Sequence, residues 1–422
     1  MGIPVVSRDP LNSKTSASGN RSKSLRLGNP QSTLIILGLV LAIIVDALAF
    51  HYGGLSLGIQ LWLGLALGFT LFHSRFGFTS AFRRFLSVGN GEGIRAQMIM
   101  LAVASTLFAV ILGTGFSFFG GKPSGYVSPV GVSVIFGSFI FGIGMQMGEG
   151  CASGTLYHIG GGKSENYFTI IGFVIGSVLG ALHFNFWVKD MPSLKPVSLA
   201  TSTGLGYFGG WLIQMILFAA IFILTLVIEK KHRSPEMAPV PTAAGISRIL
   251  RGSWPMWAGG VVLAVLNALT LTIRNQPWGI TSAFALWGSK IAGFSGINVE
   301  QWAYWSGPAA SALHQSIFAD STTIMDLGLI LGAFLAATLG GLFFLRKLPF
   351  KIILSALIGG VLMGYGARIA FGCNIGAYFS GIASFSLHGW VWLIFALLGS
   401  YIALYIRPLF GMKVPKSDDR YC

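Results

Sequence analysis

Apolar runs of about 20 residues recur along this 422-residue chain, the length a helix needs to cross roughly 30 Å of hydrocarbon. A membrane β-barrel would instead show alternating segments of about ten residues. Hydrophobic residues make up 53% of the chain and charged residues only 10%, whereas a soluble protein carries about 25% charged residues. The expected fold class is an all-α polytopic membrane protein, with the lipid bilayer as its partner. Ten spans are expected, at 33–50, 56–73, 96–117, 129–148, 167–188, 205–228, 255–273, 325–345, 352–371 and 389–406. Glycines run through most of them, and small residues let membrane helices approach closely.

The net charge of +15 points to no nucleic-acid partner, because the positive charges sit in loops between apolar spans. With the N-terminus in the cytoplasm, 22 of the 28 lysines and arginines fall in inside segments and five outside, and Arg368 lies within a span. That asymmetry is the positive-inside pattern and predicts both termini in the cytoplasm. Residues 1–32 are polar and lack an apolar core, so they read as a flexible cytoplasmic tail and not a cleaved signal. The remaining divisions are a first transmembrane repeat over 33–228, a cytoplasmic linker over 229–252, a second repeat over 253–406 and a cytoplasmic tail over 407–422. An amphipathic helix is expected near 302–318, in an outside loop. Cys151, Cys373 and Cys422 are the three cysteines. With no CxxC and no His/Cys cluster, they call for no metal, no cofactor and no disulfide framework.

Two short stretches match around the interior cysteines. GIGMQMGEGCASG (142–154) and GYGARIAFGCNIG (364–376) share G-x-G-x5-G-C-x2-G, and each follows a long apolar run. Upstream, GFTSAF (77–82) recurs as GITSAF (279–284). Two motif pairs in the same order indicate an internal duplication. Five expected spans separate Cys151 from Cys373, so the copies face opposite sides. That is an inverted repeat, the plan of many transporters.

Gly144, Gly148 and Gly150 weaken the helix before Cys151, and Gly366 and Gly372 do so before Cys373. The expected geometry is a re-entrant turn with a half-helix starting at each cysteine, tolerated at membrane depth only where it is buried or lines a cavity. A half-helix N-terminus offers free N–H groups and a positive dipole end, which suit an anion. In an apolar site each thiol is expected to stay a neutral S–H, a weak donor with a polarisable surface. Such a pair suits a soft, sulfur-bearing anion held loosely enough to leave. Free cysteine more commonly just packs, and it is the matched context that argues otherwise.

Around this pair other candidates gather. Arg368, five residues before Cys373, is a charge at membrane depth and so a functional candidate, with capping of backbone carbonyls as its structural alternative. Glu149 would repel an anion unless it points to cytoplasmic water, pairs with Lys163 or holds a proton; in the last case it is the candidate for proton coupling. Thr79, Ser80, Thr281 and Ser282 could donate hydroxyls to an oxyanion or bond neighbouring backbone. Ser153 and Asn374 read as caps with a substrate contact. Asp46 and Asp326 read as solvated near span ends, and His158, His183, His314 and His388 as loop or interfacial residues.

The stretch GYGARIAFGCNIGAYFSGIASFSLHGW (364–390), with GFTSAFRR (77–84) and the Cys151 motif, resembles the YeeE/YedE family of bacterial membrane proteins. The likeness covers essentially everything between the two tails. It implies import of thiosulfate, the activity of characterised members, and makes Cys151 and Cys373 pathway cysteines. The YedE branch is associated with selenium metabolism. Family members often carry a third cysteine just before FTSAF. Here that place holds Gly77 and Gly279, and Cys422 is too far along the chain to stand in.

The reading is a multi-pass transporter of the bacterial inner membrane, not an enzyme. It imports a small sulfur-containing anion, thiosulfate foremost, passed between the thiols by S–H and N–H hydrogen bonds. The alternatives are a transporter of a selenium or other sulfur compound, and a sulfur relay forming a cysteine persulfide. Docking of a cytoplasmic sulfur-carrier protein near Cys151 is left open.

Overall fold

The structure is a computed structural model that describes residues 27–422 apart from 241, 242, 244 and 246. The expected tail over 1–32 therefore lies outside the described residues as far as residue 26. In chain order the helices are α1 (Ser32–Ser74), α2 (Phe78–Val88), α3 (Glu92–Thr114), α4 (Val132–Met147), α5 (Ala152–Gly160), α6 (Glu165–Leu182), α7 (Gly206–His232) and α8 (Ser247–Arg251). They continue as α9 (Met256–Arg274), α10 (Thr281–Phe294), α11 (Ser311–His314), α12 (Ser321–Leu339), α13 (Phe350–Ile369), a π-helical turn (Asn374–Ser380), α14 (Gly381–Ala383) and α15 (Leu387–Ile406). The chain is a polytopic all-α membrane protein.

Nine helices among the described residues are long and apolar enough to cross a membrane, against ten expected spans. The difference lies in α1, where Gly54 sits at φ 63°, ψ −158°. Before it, Gln31 donates to the Thr338 carbonyl and Gly38 abuts Leu335, so this arm runs antiparallel to α12. After it, Gly64 abuts Met325 and Gly68 abuts Leu329, so the second arm runs parallel to α12. The chain thus reverses at Gly54, and α1 supplies two passes.

Packing follows the glycines. α1 packs along α12, α3 along α9 and α7, α4 between α13 and α15, and α13 along α6. A Cβ added at Gly68 would overlap the carbonyl oxygen of Leu329, and one at Gly364 that of Phe173. Close backbone approach is how membrane helices gain van der Waals contact when no hydrophobic force separates them from lipid. The large side chains left exposed on α1 and α7, such as Ile36, Ile43, Ile216 and Val227, form the apolar surface that lipid covers.

Four expectations need correction. Residues 302–318 form short 3-10 turns and the four-residue α11 instead of one amphipathic helix; Gly307, at φ 66°, turns the chain within the run. Asp326 is fully buried on the second turn of α12, because that helix starts earlier than hydropathy places it. His388 is fully buried beside Ser386, not interfacial. The 407–422 segment folds back on the protein: Arg407 and Met412 are buried, and the Cys422 backbone N–H donates to the Glu236 carbonyl at 3.0 Å.

Candidate functional site

The two cysteines interrupt two helical passes in the same way. α4 ends at Met147; Glu149 then takes φ 57°, and Cys151 is extended at φ −80°, ψ −168° as the N-cap of α5. α13 ends at Ile369; Phe371 takes φ 54° and Gly372 φ 142°, and Cys373 is extended at φ −108°, ψ −166° ahead of the π-helical turn. Both thiols are buried. The Cys373 Sγ accepts the Ile375 N–H at 3.4 Å, as a capping oxygen would. The Cys151 Sγ lies 3.4 Å from Ser153 Oγ. α5 also packs directly against the π-helical turn, so the two cysteine-bearing segments meet in the interior.

Two cavities approach this meeting point. The larger, of about 510 Å³, sits on the face that carries the 229–252 linker; Gly150, Cys151, Thr79 and Ser80 line it. The smaller, of about 250 Å³, lies on the other side; Arg368, Thr281, Ser282 and Gly372 line it. The repeated TSAF elements place further helix N-termini here, since α2 opens at Phe78 in the first cavity wall and α10 at Thr281 in the second. Each cavity therefore meets free backbone N–H groups from a TSAF helix, and the first also from α5. Aromatic packing closes the space between them, with Phe78 against Tyr378 at 5.9 Å and the Tyr378 hydroxyl donating to Gln97 Oε1 at 3.1 Å.

The first cavity is rich in cations. Glu149, for which cytoplasmic water, Lys163 and a held proton stood as alternatives, pairs with Arg83 and with Arg407. Arg407 also donates to the Gln146 carbonyl, so it locks the end of α15 onto the break after α4. Two guanidiniums cancel the carboxylate that would otherwise repel an anion. Lys163 Nζ lies 3.2 Å from His158 Nε2. Arg84 lines the same wall with its Nε and one Nη buried and unpartnered among the described residues, as is Thr79 Oγ1. Cys422 lines this cavity too, together with Gly77, which corrects its dismissal on sequence distance. Its Sγ donates to the Pro235 carbonyl at 3.3 Å.

In the second cavity Arg368 donates to the Tyr304 hydroxyl and, at 2.8 Å, to the Thr281 carbonyl. It is a carbonyl cap and a cavity wall at once. Ser282 Oγ donates to Thr322 Oγ1 at 3.2 Å, and Ser80 Oγ to the Gly77 carbonyl at 3.1 Å. Cys373, Asn374 and Ser153 stand behind the cavity walls, fully or almost fully buried. Both polar atoms of the Asn374 amide lack a partner among the described residues. Sequence reasoning did not single out Arg83, Arg84, Arg407, Arg274 or Tyr304. The first four were counted only as topology-setting charges, and the adjacency of Arg83 and Arg84 to TSAF was the available signal.

Among the described residues no cluster of three His, Cys, Asp or Glu could hold a metal ion. A helical membrane bundle with cavities reaching its centre from two faces has the architecture of a transport protein. The sulphur transport family matches residues 73–402, and the chain belongs to it; its relatives are transporters, not enzymes. A thiosulfate transporter TsuA of Spirochaeta thermophila is 29% identical over 358 residues, covering 82% of this chain and 99% of that protein. A thiosulfate transporter TsuA of Escherichia coli is 26% identical over 362 residues, covering 82% and 94%. A probable transporter YedE of Escherichia coli is 32% identical over 164 residues, covering 38% and 40%.

Proposed function

We propose that this chain imports thiosulfate across the bacterial inner membrane, along a path that passes Cys373 and then Cys151. One observation carries the reading: two buried thiols each stand at the N-terminal start of a helical segment, and those two segments meet between cavities that reach inward from opposite faces. Thiosulfate fits those groups. Its oxygens accept hydrogen bonds from backbone N–H groups and hydroxyls, and its terminal sulfur matches the soft thiol surface. Weak, successive contacts allow it to leave as readily as it enters. The names of the TsuA relatives, matched over nearly their whole length, support thiosulfate as the substrate.

The positive-inside pattern supports a cytoplasmic linker face and cytoplasmic termini, which makes the larger cavity the exit. Its unpartnered Arg84 atoms then draw the anion off Cys151. The matched backbone around the cysteines supports an inverted duplication of 33–228 and 253–406, joined by the linker. So does the pairing of packed helices, α4 on α15 with α13 on α6, and α1 on α12 with α3 on α9. Such repeats place their sites at the bilayer midplane.

The test is uptake of labelled thiosulfate by bacterial cells lacking their own importers. Expression of this chain should raise accumulation above the empty vector, with unlabelled thiosulfate competing and sulfate not. Competition by selenium compounds in preference to thiosulfate would reassign the substrate.

A further inference from the structure

Asp326 is fully buried on α12, and neither carboxyl oxygen has a hydrogen-bond partner among the described residues. No ion pair reaches it among the described residues. An ionised carboxylate in that setting is costly, and intramembrane acids that persist are commonly parts of proton or ion pathways. We propose that Asp326 carries a proton inward together with the sulfur anion, so that the chain works as a proton-coupled importer. This rests on the thiosulfate reading above.

The surroundings of Asp326 explain how the two loads couple. The charges that act on it are Asp320, which caps the start of the same helix, and Arg274 on α9; it acts in turn on the Cys373 thiol. The other helices packed on α12 bring mostly uncharged groups, Gly64 and Gly68 from α1, Gly160 from α5, and Ser282 and Trp287 from α10; α1 also carries Asp46, beside Gly58, and α8 brings Arg251 to the Leu339 carbonyl at the far end of α12. Among the described residues Arg274 is the cation set against this turn of α12, through Thr322 and Met325, and it also lines the outer cavity. Its guanidinium is loosely held, 3.5 Å from Thr322 Oγ1 and 3.7 Å from Met325 Sδ.

An anion entering the outer cavity competes for that guanidinium. Its own negative charge, together with the diverted Arg274, favours the protonated over the ionised Asp326 carboxyl, so the anion and a proton drawn from the outside medium are held together. Anion and proton therefore bind with positive linkage, each strengthening the other. The direction is also useful, because a dianion moving toward a negative interior runs against the membrane field, and an accompanying proton offsets part of that charge. Glu149, held by two arginines, is poorly placed for the same task.

The experiment uses the purified full chain in proteoliposomes with a lumenal pH dye and labelled thiosulfate. An acid-outside gradient should raise thiosulfate uptake about tenfold over symmetrical pH, and adding thiosulfate should acidify the lumen. Asp326→Asn should keep thiosulfate counterflow at symmetrical pH and lose the response to the gradient. Retained gradient response in Asp326→Asn, loss of its counterflow, or stimulation by sodium in place of protons would overturn the assignment. The dye signal in the wild type does not depend on the variant folding: thiosulfate uptake without acidification sinks the proton inference alone. If wild type takes up no thiosulfate, the substrate reading fails and this inference falls with it.

Discussion

Glu149 and Phe371 hold the same left-handed backbone conformation, φ 57° and 54°, each two residues before a buried cysteine. Non-glycine residues avoid that region unless their surroundings impose it. In one copy the residue is a carboxylate clamped by Arg83 and Arg407. In the other it is an aromatic whose carbonyl accepts the Tyr126 hydroxyl. Different side chains hold one backbone shape, which points to the shape as the conserved requirement of the two cysteine segments.

The glycine between Phe371 and Cys373 makes that shape possible. Gly372 sits at φ 142°, and a Cβ there would stand 2.7 Å from the Ala377 backbone nitrogen. Gly372→Ala should cost about 1–3 kcal/mol of local strain and abolish uptake at matched expression. Gly150, which is not at positive φ and whose nearest Cβ contacts are 3.1 Å, should tolerate alanine better. Uptake assays beside thermal unfolding in detergent compare the two.

Arg407 should matter more to stability than to substrate. Its side chain is 3% exposed and that of its partner Glu149 is 23% exposed. Arg407→Ala leaves that carboxylate to Arg83 alone and frees the Gln146 and Lys413 carbonyls, at a cost of about 2–3 kcal/mol after discounting for the exposed partner. Glu149→Gln should cost less, since Arg407 keeps its carbonyl contacts with Gln146 and Lys413. Chemical denaturation in detergent reads both.

Arg368 offers a planar fork to Tyr304 and the Thr281 carbonyl, a geometry that lysine cannot reproduce. Arg368→Lys should raise the KM for thiosulfate about tenfold, with surface expression unchanged. A change confined to the maximal rate would assign it to architecture instead.

The orientation is open to a direct check. A cysteine introduced at exposed Lys122 should react with a membrane-impermeant maleimide in intact cells. One introduced at exposed Lys231 should react only after permeabilisation. The reverse pattern would invert the exit and entry cavities.

The spans were legible because each is a long, nearly uncharged run, and the two cysteine motifs because glycine spacing repeats around them. Even the fold-back at Gly54 was readable, as a gap between two runs. What escaped depends on which distant segments meet. Arg407 looked like the start of a tail because its Glu149 partner lies 258 residues away. Asp326 looked interfacial because hydropathy cannot mark a helix start within a few residues. Cys422 reaches the Cys151 cavity through contacts of the 407–422 segment with distant residues such as Pro235, Glu236 and Ser355, which no local pattern encodes. The 302–318 run has helical amphipathicity, yet its short turns are set by packing against α10, where Trp305 donates to Ser289 at 2.9 Å.

Passage of thiosulfate along the two thiols is tested by comparing uptake of labelled thiosulfate by wild type, Cys151→Ala and Cys373→Ala at matched membrane expression. Wild type should take it up robustly and each variant should lose at least about tenfold, the size expected when about 1.4 kcal/mol of contact is removed from a required step. Undiminished uptake in both variants would contradict it and reduce the cysteines to packing.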